Sequence, residues 1–159
     1  MKTYFFGLVL FLFLSQCQSQ TTTSMSDFKP EISKNESQWK QDLSPERFRI
    51  LRQRGTEYPG TGEYDQHFEI GTYSCAGCGS ELFTSDSKFD AHCGWPSFDK
   101  EIIKGSITEI RDFSAGMVRT EILCTKCGGH LGHVFNDGPT ETKLRYCVNS
   151  LSMSFERKD

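Results

Sequence analysis

A chain of 159 residues with 36% hydrophobic and 13% aromatic residues carries enough apolar side chain for one core of ordinary size, which argues against intrinsic disorder. Its formal net charge of −3 offers no basic face to a phosphate backbone, so nucleic acid is not an expected partner. Seven cysteines in a chain this short instead point to metal or thiol chemistry.

Lys2 precedes an apolar run of ten, from Phe5 to Leu14, which is too short to cross a bilayer and the right length for a signal-peptide core. We therefore read residues 1–16 as a signal peptide. Leu14-Ser15-Gln16-Cys17 resembles the lipobox of bacterial lipoproteins, although Gln16 stands where a small residue is usual. An exported, membrane-anchored periplasmic or cell-envelope protein lipidated at Cys17 is favoured over a secreted soluble one. Residues 17–35, rich in Ser, Thr and Gln, offer little to bury and read as a flexible tether. The domain proper is assigned to residues 36–159.

Helical signals are confined to its front. Trp39 sits in a polar amphipathic stretch, and Ser44-Pro45-Glu46 supplies an N-cap, a proline at the first helical position and an early acid before Phe48, Ile50 and Leu51. Gly55 is expected to stop this second helix. Beyond Tyr64 the pattern becomes short alternating runs: Phe68-Glu69-Ile70, Ser106 to Ile110, Val118 to Ile122 and Leu151 to Phe155. The fold class is therefore mainly β, with antiparallel sheets and short N-terminal helices. Asn136-Asp137-Gly138-Pro139 is a dense turn signal, so the strands on either side, one bearing His133 and one bearing Cys147, are expected to be hairpin neighbours.

Cys75-Ala76-Gly77-Cys78 and Cys124-Thr125-Lys126-Cys127 are each followed at once by glycine. In a metal knuckle the residue after the second cysteine often needs positive φ, which glycine supplies cheaply. Two such knuckles make a tetrahedral four-thiolate site, so Cys75, Cys78, Cys124 and Cys127 are assigned to one structural zinc that staples the β domain. Two disulfides, a redox-active pair and iron are the competing readings of the same residues.

Cys93 and Cys147 stand apart. In a strand, Arg145, Cys147 and Asn149 share one face, where a guanidinium would favour a thiolate. His130 and His133 are placed to bring imidazoles and a proton donor near it. Cys93, beside the flat wall of Trp95, could be only a small buried hydrophobe, but an exported protein rarely keeps unpaired thiols without a use.

With these residues in view, the chain closely resembles the methionine-R-sulfoxide reductases, the B class of methionine sulfoxide reductases, from about Trp39 to Phe155. The resemblance is carried by Thr56-Glu57-Tyr58-Pro59, Thr61-Gly62-Glu63-Tyr64, both knuckles, Cys93-Gly94-Trp95-Pro96-Ser97-Phe98, the run from His130 to Pro139, and Arg145-Tyr146-Cys147-Val148-Asn149-Ser150.

The resemblance implies that Cys147 attacks the sulfur of methionine sulfoxide while His133 protonates its oxygen. It assigns His130, Asp137, Arg145 and Asn149 to organising the oxygen and the thiolate, and Trp95, with Phe135, to substrate binding. Cys93 matches the resolving position, which implies a Cys93–Cys147 disulfide recycled by a thioredoxin-like reductant. The implied substrate is methionine sulfoxide in oxidised proteins, and the chain is expected to be a monomer. A non-enzymatic zinc module and a thiol–disulfide oxidoreductase using Cys93 and Cys147 are the rival functions.

Overall fold

Two short helices and nine strands make up the regular structure of the computed structural model, which describes residues 27–158. The expected signal peptide and Cys17 lie outside the described residues. Among the described residues, no helix is long and apolar enough to cross a membrane.

Helix α1 (Glu36–Asp42) starts at Asn35, whose side chain accepts from the Gln38 backbone N–H while Gln38 reaches back to the Asn35 N–H. Helix α2 (Pro45–Gln53) starts at Ser44, whose Oγ accepts from Arg47 N–H at 3.3 Å. Each cap contributes about 1 kcal/mol. The left-handed residue that ends α2 is Arg54 (φ 55°), not Gly55. Gly55 serves by closeness instead: its N–H donates to the Arg49 carbonyl at 3.0 Å, and a Cβ there would press on the Arg49 side chain.

Strands β1 (Gly71–Cys75), β2 (Glu81–Thr84) and β9 (Met153–Arg157) form a small antiparallel sheet in the order β2-β1-β9. The larger sheet runs β3 (Lys88–Phe89), β4 (Ser97–Phe98), β8 (Arg145–Val148), β7 (His130–Phe135), β6 (Arg119–Cys124), β5 (Ile107–Asp112). Aromatic rings fill the space between them, with Phe83 of β2 stacked on Phe98 of β4 at 4.2 Å and Tyr73 edge-on to Phe98 at 5.1 Å. Such pairs add roughly 1 kcal/mol each beyond the area they bury.

Two expected strands are displaced. Phe68 and Ile70 are exposed, and pairing starts only at Gly71, opposite Arg157 of β9. Alternation there buries nothing, because Phe68 lies in solvent under the Lys88 ammonium. The strand expected from Leu151 begins at Met153 instead. The buried Glu57 carboxylate accepts from Ser150 and Leu151 N–H and tightens Ser150–Ser152 into a 3-10 turn.

The described part of the expected tether is laid against the domain. Ile32 donates its N–H to the Lys126 carbonyl at 2.8 Å and packs on the core, with Phe28 and Pro30 beside Gly128.

Strand β7 carries the irregularity on which the site depends. Ile122 of β6 faces Gly132 and Leu123 faces His130, so Leu131 is an extra, bulged residue. In a regular strand, positions 130 and 133 would point to opposite faces. The bulge reverses that parity and brings the two imidazole centroids to 5.7 Å. Gly132 adopts φ 154°, and a Cβ there would lie 2.0 Å from the Cys147 carbonyl oxygen. Gly132→Ala is therefore expected to cost roughly 3–5 kcal/mol, read as a lower urea midpoint. A midpoint equal to that of the parent chain would refute this account of the β7–β8 contact.

Candidate active site and metal centre

Each C-x-x-C is the turn of a β-hairpin. The first closes β1 on β2, with Cys75 N–H donating to Ser80 O at 2.7 Å and Gly79 N–H to Cys75 O at 2.8 Å. The second closes β6 on β7 through Cys124 N–H to Gly129 O at 2.9 Å and Gly128 N–H to Cys124 O at 2.8 Å. The glycines after the knuckles, Gly79 and Gly128, have φ of 74° and 69°, as the sequence required. Helix α2 covers the pair: Arg52 donates to the Cys127 carbonyl, and a side chain on Gly129 would strike Leu51.

The four sulfur atoms lie within 4.8 Å of one another, with Cys75–Cys127 at 3.7 Å and Cys78–Cys124 at 3.6 Å. A tetrahedral metal with bonds of about 2.3 Å would set its thiolates about 3.8 Å apart, so the donor set fits a metal ion. Hydrogen bonds among the thiols push Cys75 and Cys127 up and hold Cys78 and Cys124 down. A cation removes that conflict by letting all four ionise.

The second centre is a cavity of about 300 Å³ lined by Trp95, His130, His133, Phe135, Cys147 and Asn149, all anticipated from sequence. Cys147 on β8 faces His133 on β7 in direct register, as the turn at Asn136 to Pro139 implied. Strand β4 pairs with the other edge of β8, Ser97 opposite Cys147, and thereby draws the Cys93–Trp95 loop inward. Cys93 Sγ lies 4.0 Å from Cys147 Sγ. All six cysteines of the described residues are free thiols.

Arg145 forms a two-pronged pair with Asp137, 2.8 Å at each contact, and its guanidinium rests 4.4 Å from the Phe135 ring centroid. Asp137 thus acts on the site through Arg145. Asn149 is committed to the backbone and its neighbours: its Oδ1 accepts from Glu57 N–H and Thr56 Oγ1, and its Nδ2 donates to the Leu131 carbonyl. Its amide supports the cavity wall from within.

Both histidines have partners that no motif announced. His130 Nδ1 meets Glu121 Oε1 at 2.7 Å, and Arg54 Nε meets the same oxygen at 3.1 Å. His133 Nε2 meets Asp112 Oδ2 at 2.8 Å, with Arg119 on the same oxygen at 2.8 Å. Arg119 and Glu121 lie two apart on β6 and so share a face, a parity the alternation of Val118 to Ile122 already contained. Arg54, Thr56 and Arg119 also line the cavity and were not foreseen.

Burial lowers the pKa of His133, partly offset by its bond to Asp112, so the ring is neutral near pH 7. Hydrogen bonds from Ser114, and then from His133 and Arg119, hold the Asp112 carboxyl well below the usual carboxylate range. Burial first, and then Cys93, push the Cys147 thiol up to about 12 against the pull of Arg145. The resting nucleophile candidate is a thiol with its proton in place.

A half-buried thiol with a second thiol beside it and an imidazole on the neighbouring strand is equipped for two-electron sulfur chemistry. The class this defines is a thiol-dependent oxidoreductase built around a metal-binding cysteine cage. A family model described as the SelR domain matches residues 43–157. The chain is 53% identical over 128 residues to the peptide methionine sulfoxide reductase MsrB of Bradyrhizobium diazoefficiens, spanning 80% of this chain and 92% of the relative. The protein of the same name from Agrobacterium fabrum is 55% identical over 133 residues, 83% of this chain and 98% of the relative. That of Leptospira interrogans is 53% identical over 128 residues, 80% and 98%. The chain belongs to the MsrB family of peptide methionine sulfoxide reductases.

Because the thiolate is the reactive form, alkylation of Cys147 by iodoacetamide is expected to rise about tenfold per pH unit from pH 8 to 10, with no plateau. Mass spectrometry of the Cys147 peptide reads the rate, and a plateau near neutral pH would contradict the half-buried, protonated thiol.

Proposed function

We propose that the protein repairs oxidised proteins by reducing the R epimer of methionine sulfoxide, with Cys147 as nucleophile and Cys93 as resolving thiol. The observation that carries this reading is the 4.0 Å separation of the two sulfurs in a cavity walled by Trp95 and opposite His133. Trp95 and Phe135 supply apolar surface for the thioether, and Arg145, held in place by Asp137, supplies the guanidinium beside the thiol.

A sulfoxide oxygen leaves poorly until protonated, and a thiol attacks poorly until ionised. One proton answers both needs. Neutral His133 takes it from Cys147 as the sulfur attacks and passes it to the sulfoxide oxygen. Methionine departs as the thioether, and the oxygen remains on Cys147 as a sulfenic acid. The Cys93 thiol then condenses with that group, forming the disulfide and releasing one water. A thioredoxin-like dithiol supplies two electrons to reopen the bond and becomes a disulfide itself.

The competing thiol–disulfide oxidoreductase would exchange disulfides without consuming sulfoxide. Cys147→Ser is expected to abolish reduction of a methionine (R)-sulfoxide peptide, with the S epimer untouched by the parent enzyme. Cys93→Ser is expected to yield one methionine per chain and then stop when thioredoxin is the donor. Full thioredoxin turnover by that variant would remove Cys93 from the scheme. His133→Ala is expected to slow the single turnover by about 10²–10³, and a near-normal rate would remove His133 as proton carrier.

The cage is assigned to one structural zinc, whose chemistry is to hold Cys75, Cys78, Cys124 and Cys127 as thiolates and out of exchange with the working pair. For the whole chain we keep the exported reading, with a lipid on Cys17. Native and intact mass of protein taken from its own cell envelope is expected to show one zinc and a diacylglyceryl mass on Cys17. Four cage thiols in disulfides would overturn the zinc, and an unmodified processed form in the medium would overturn the lipid.

A further inference from the structure

We infer that Asp112, the last residue of β5, is a positioning residue for the reaction: it holds the His133 ring with Nε2 carrying the hydrogen, which leaves Nδ1 as the nitrogen that exchanges a proton with Cys147 and the substrate. This rests on the reading in which His133 carries the proton.

The argument is one of donors and acceptors. Asp112 receives His133 Nε2 and Arg119 on Oδ2, both at 2.8 Å, and the Ser114 backbone N–H on Oδ1 at 2.8 Å. An ionised carboxylate only accepts, so the ring nitrogen that touches it must bear the hydrogen. A neutral imidazole has one N–H, and its other nitrogen is therefore an acceptor. Both side chains are largely shielded, at 13% and 17% exposure, so water competes weakly for this bond.

No other described group is bonded to do this. Strand β6 presents Glu121 directly opposite His133, but its carboxylate is engaged by His130 and Arg54. Arg119, also from β6, is a cation and clamps Asp112 rather than the ring. His130 on the same strand lies ring edge to ring face with His133, and β8 contributes Cys147, with Arg145 beyond Phe135. Asp112 also places a negative charge next to the imidazolium that forms in mid-reaction, after the proton has left Cys147 and before it reaches the oxygen. That charge is an advantage only while the proton is in transit.

The test uses the full chain, reduced, in single turnover with a methionine (R)-sulfoxide peptide. Asp112→Asn is expected to lower the chemical rate by about 100-fold or more with the apparent KM within about twofold, since the bond acts on the proton and not on substrate affinity. Loss of the negative charge lowers the pKa of His133, so the acid limb of the pH–rate profile should move to lower pH, a displacement that a merely structural role does not produce. Asp112→Glu should recover part of the rate, and in a His133→Ala background Asp112→Asn should cost nothing further. Ring ¹⁵N shifts of the unsubstituted protein should show the Nε2–H tautomer at His133, a readout that needs no variant to fold. An Nδ1–H tautomer, an unshifted acid limb, or an equal loss in the His133→Ala background would overturn the inference. A near-normal rate in His133→Ala alone would sink the underlying reading instead.

Discussion

Two hairpin turns, one from each sheet, bring four sulfur atoms within 4.8 Å of one another, and the active site is built outward from that meeting point. Strand β7 leaves the second knuckle within three residues of Cys127 and immediately presents His130 and then His133. Strand β9, paired residue by residue with β1, fixes the chain just beyond Asn149. The distance from cage to imidazole is thus set by two hydrogen-bonded hairpins and not by long loops. A metal held by the four thiolates would cross-link the two hairpins and add rigidity close to the imidazoles.

Polar groups close the site from the other side. Glu57 takes two backbone N–H groups after β8, while Asn149 ties that strand to Thr56, Glu57 and Leu131. These buried bonds add little net energy individually, yet each would leave an unsatisfied group if its partner were lost. Their combined effect is to hold the backbone around Cys147 against β7 at a separation that admits only glycine at position 132.

Much of this was legible in the residues themselves. The knuckle glycines, the helix cap at Ser44 and the pairing of the histidine strand with the cysteine strand follow from local chemistry that a single stretch of sequence encodes, and the shared cavity of Trp95, His133 and Cys147 was implied by the family resemblance. What was hidden depends on relations between stretches. The bulge at Leu131 is visible only once β6 is laid beside β7. Asp112 and Glu121 belong to ordinary-looking strands, and nothing local says which imidazole each will meet. Phe68 and Ile70 alternate like a strand but have no face to cover, and the left-handed residue that ends α2 is Arg54, one before the Gly55 expected to stop it.

The 4.0 Å between Cys93 and Cys147 has a kinetic meaning. A disulfide needs its sulfurs about 2.05 Å apart, and side-chain rotation in either residue covers much of that difference. Rotamer changes of partly exposed residues take nanoseconds or less, whereas a dissolved oxidant at micromolar concentration must diffuse in from solution. Two groups held in this way meet at an effective concentration that no dilute oxidant approaches. On the proposed mechanism an oxygen placed on Cys147 would meet the neighbouring thiol long before a dilute oxidant, and the strand pairing of β4 with β8 sets their separation.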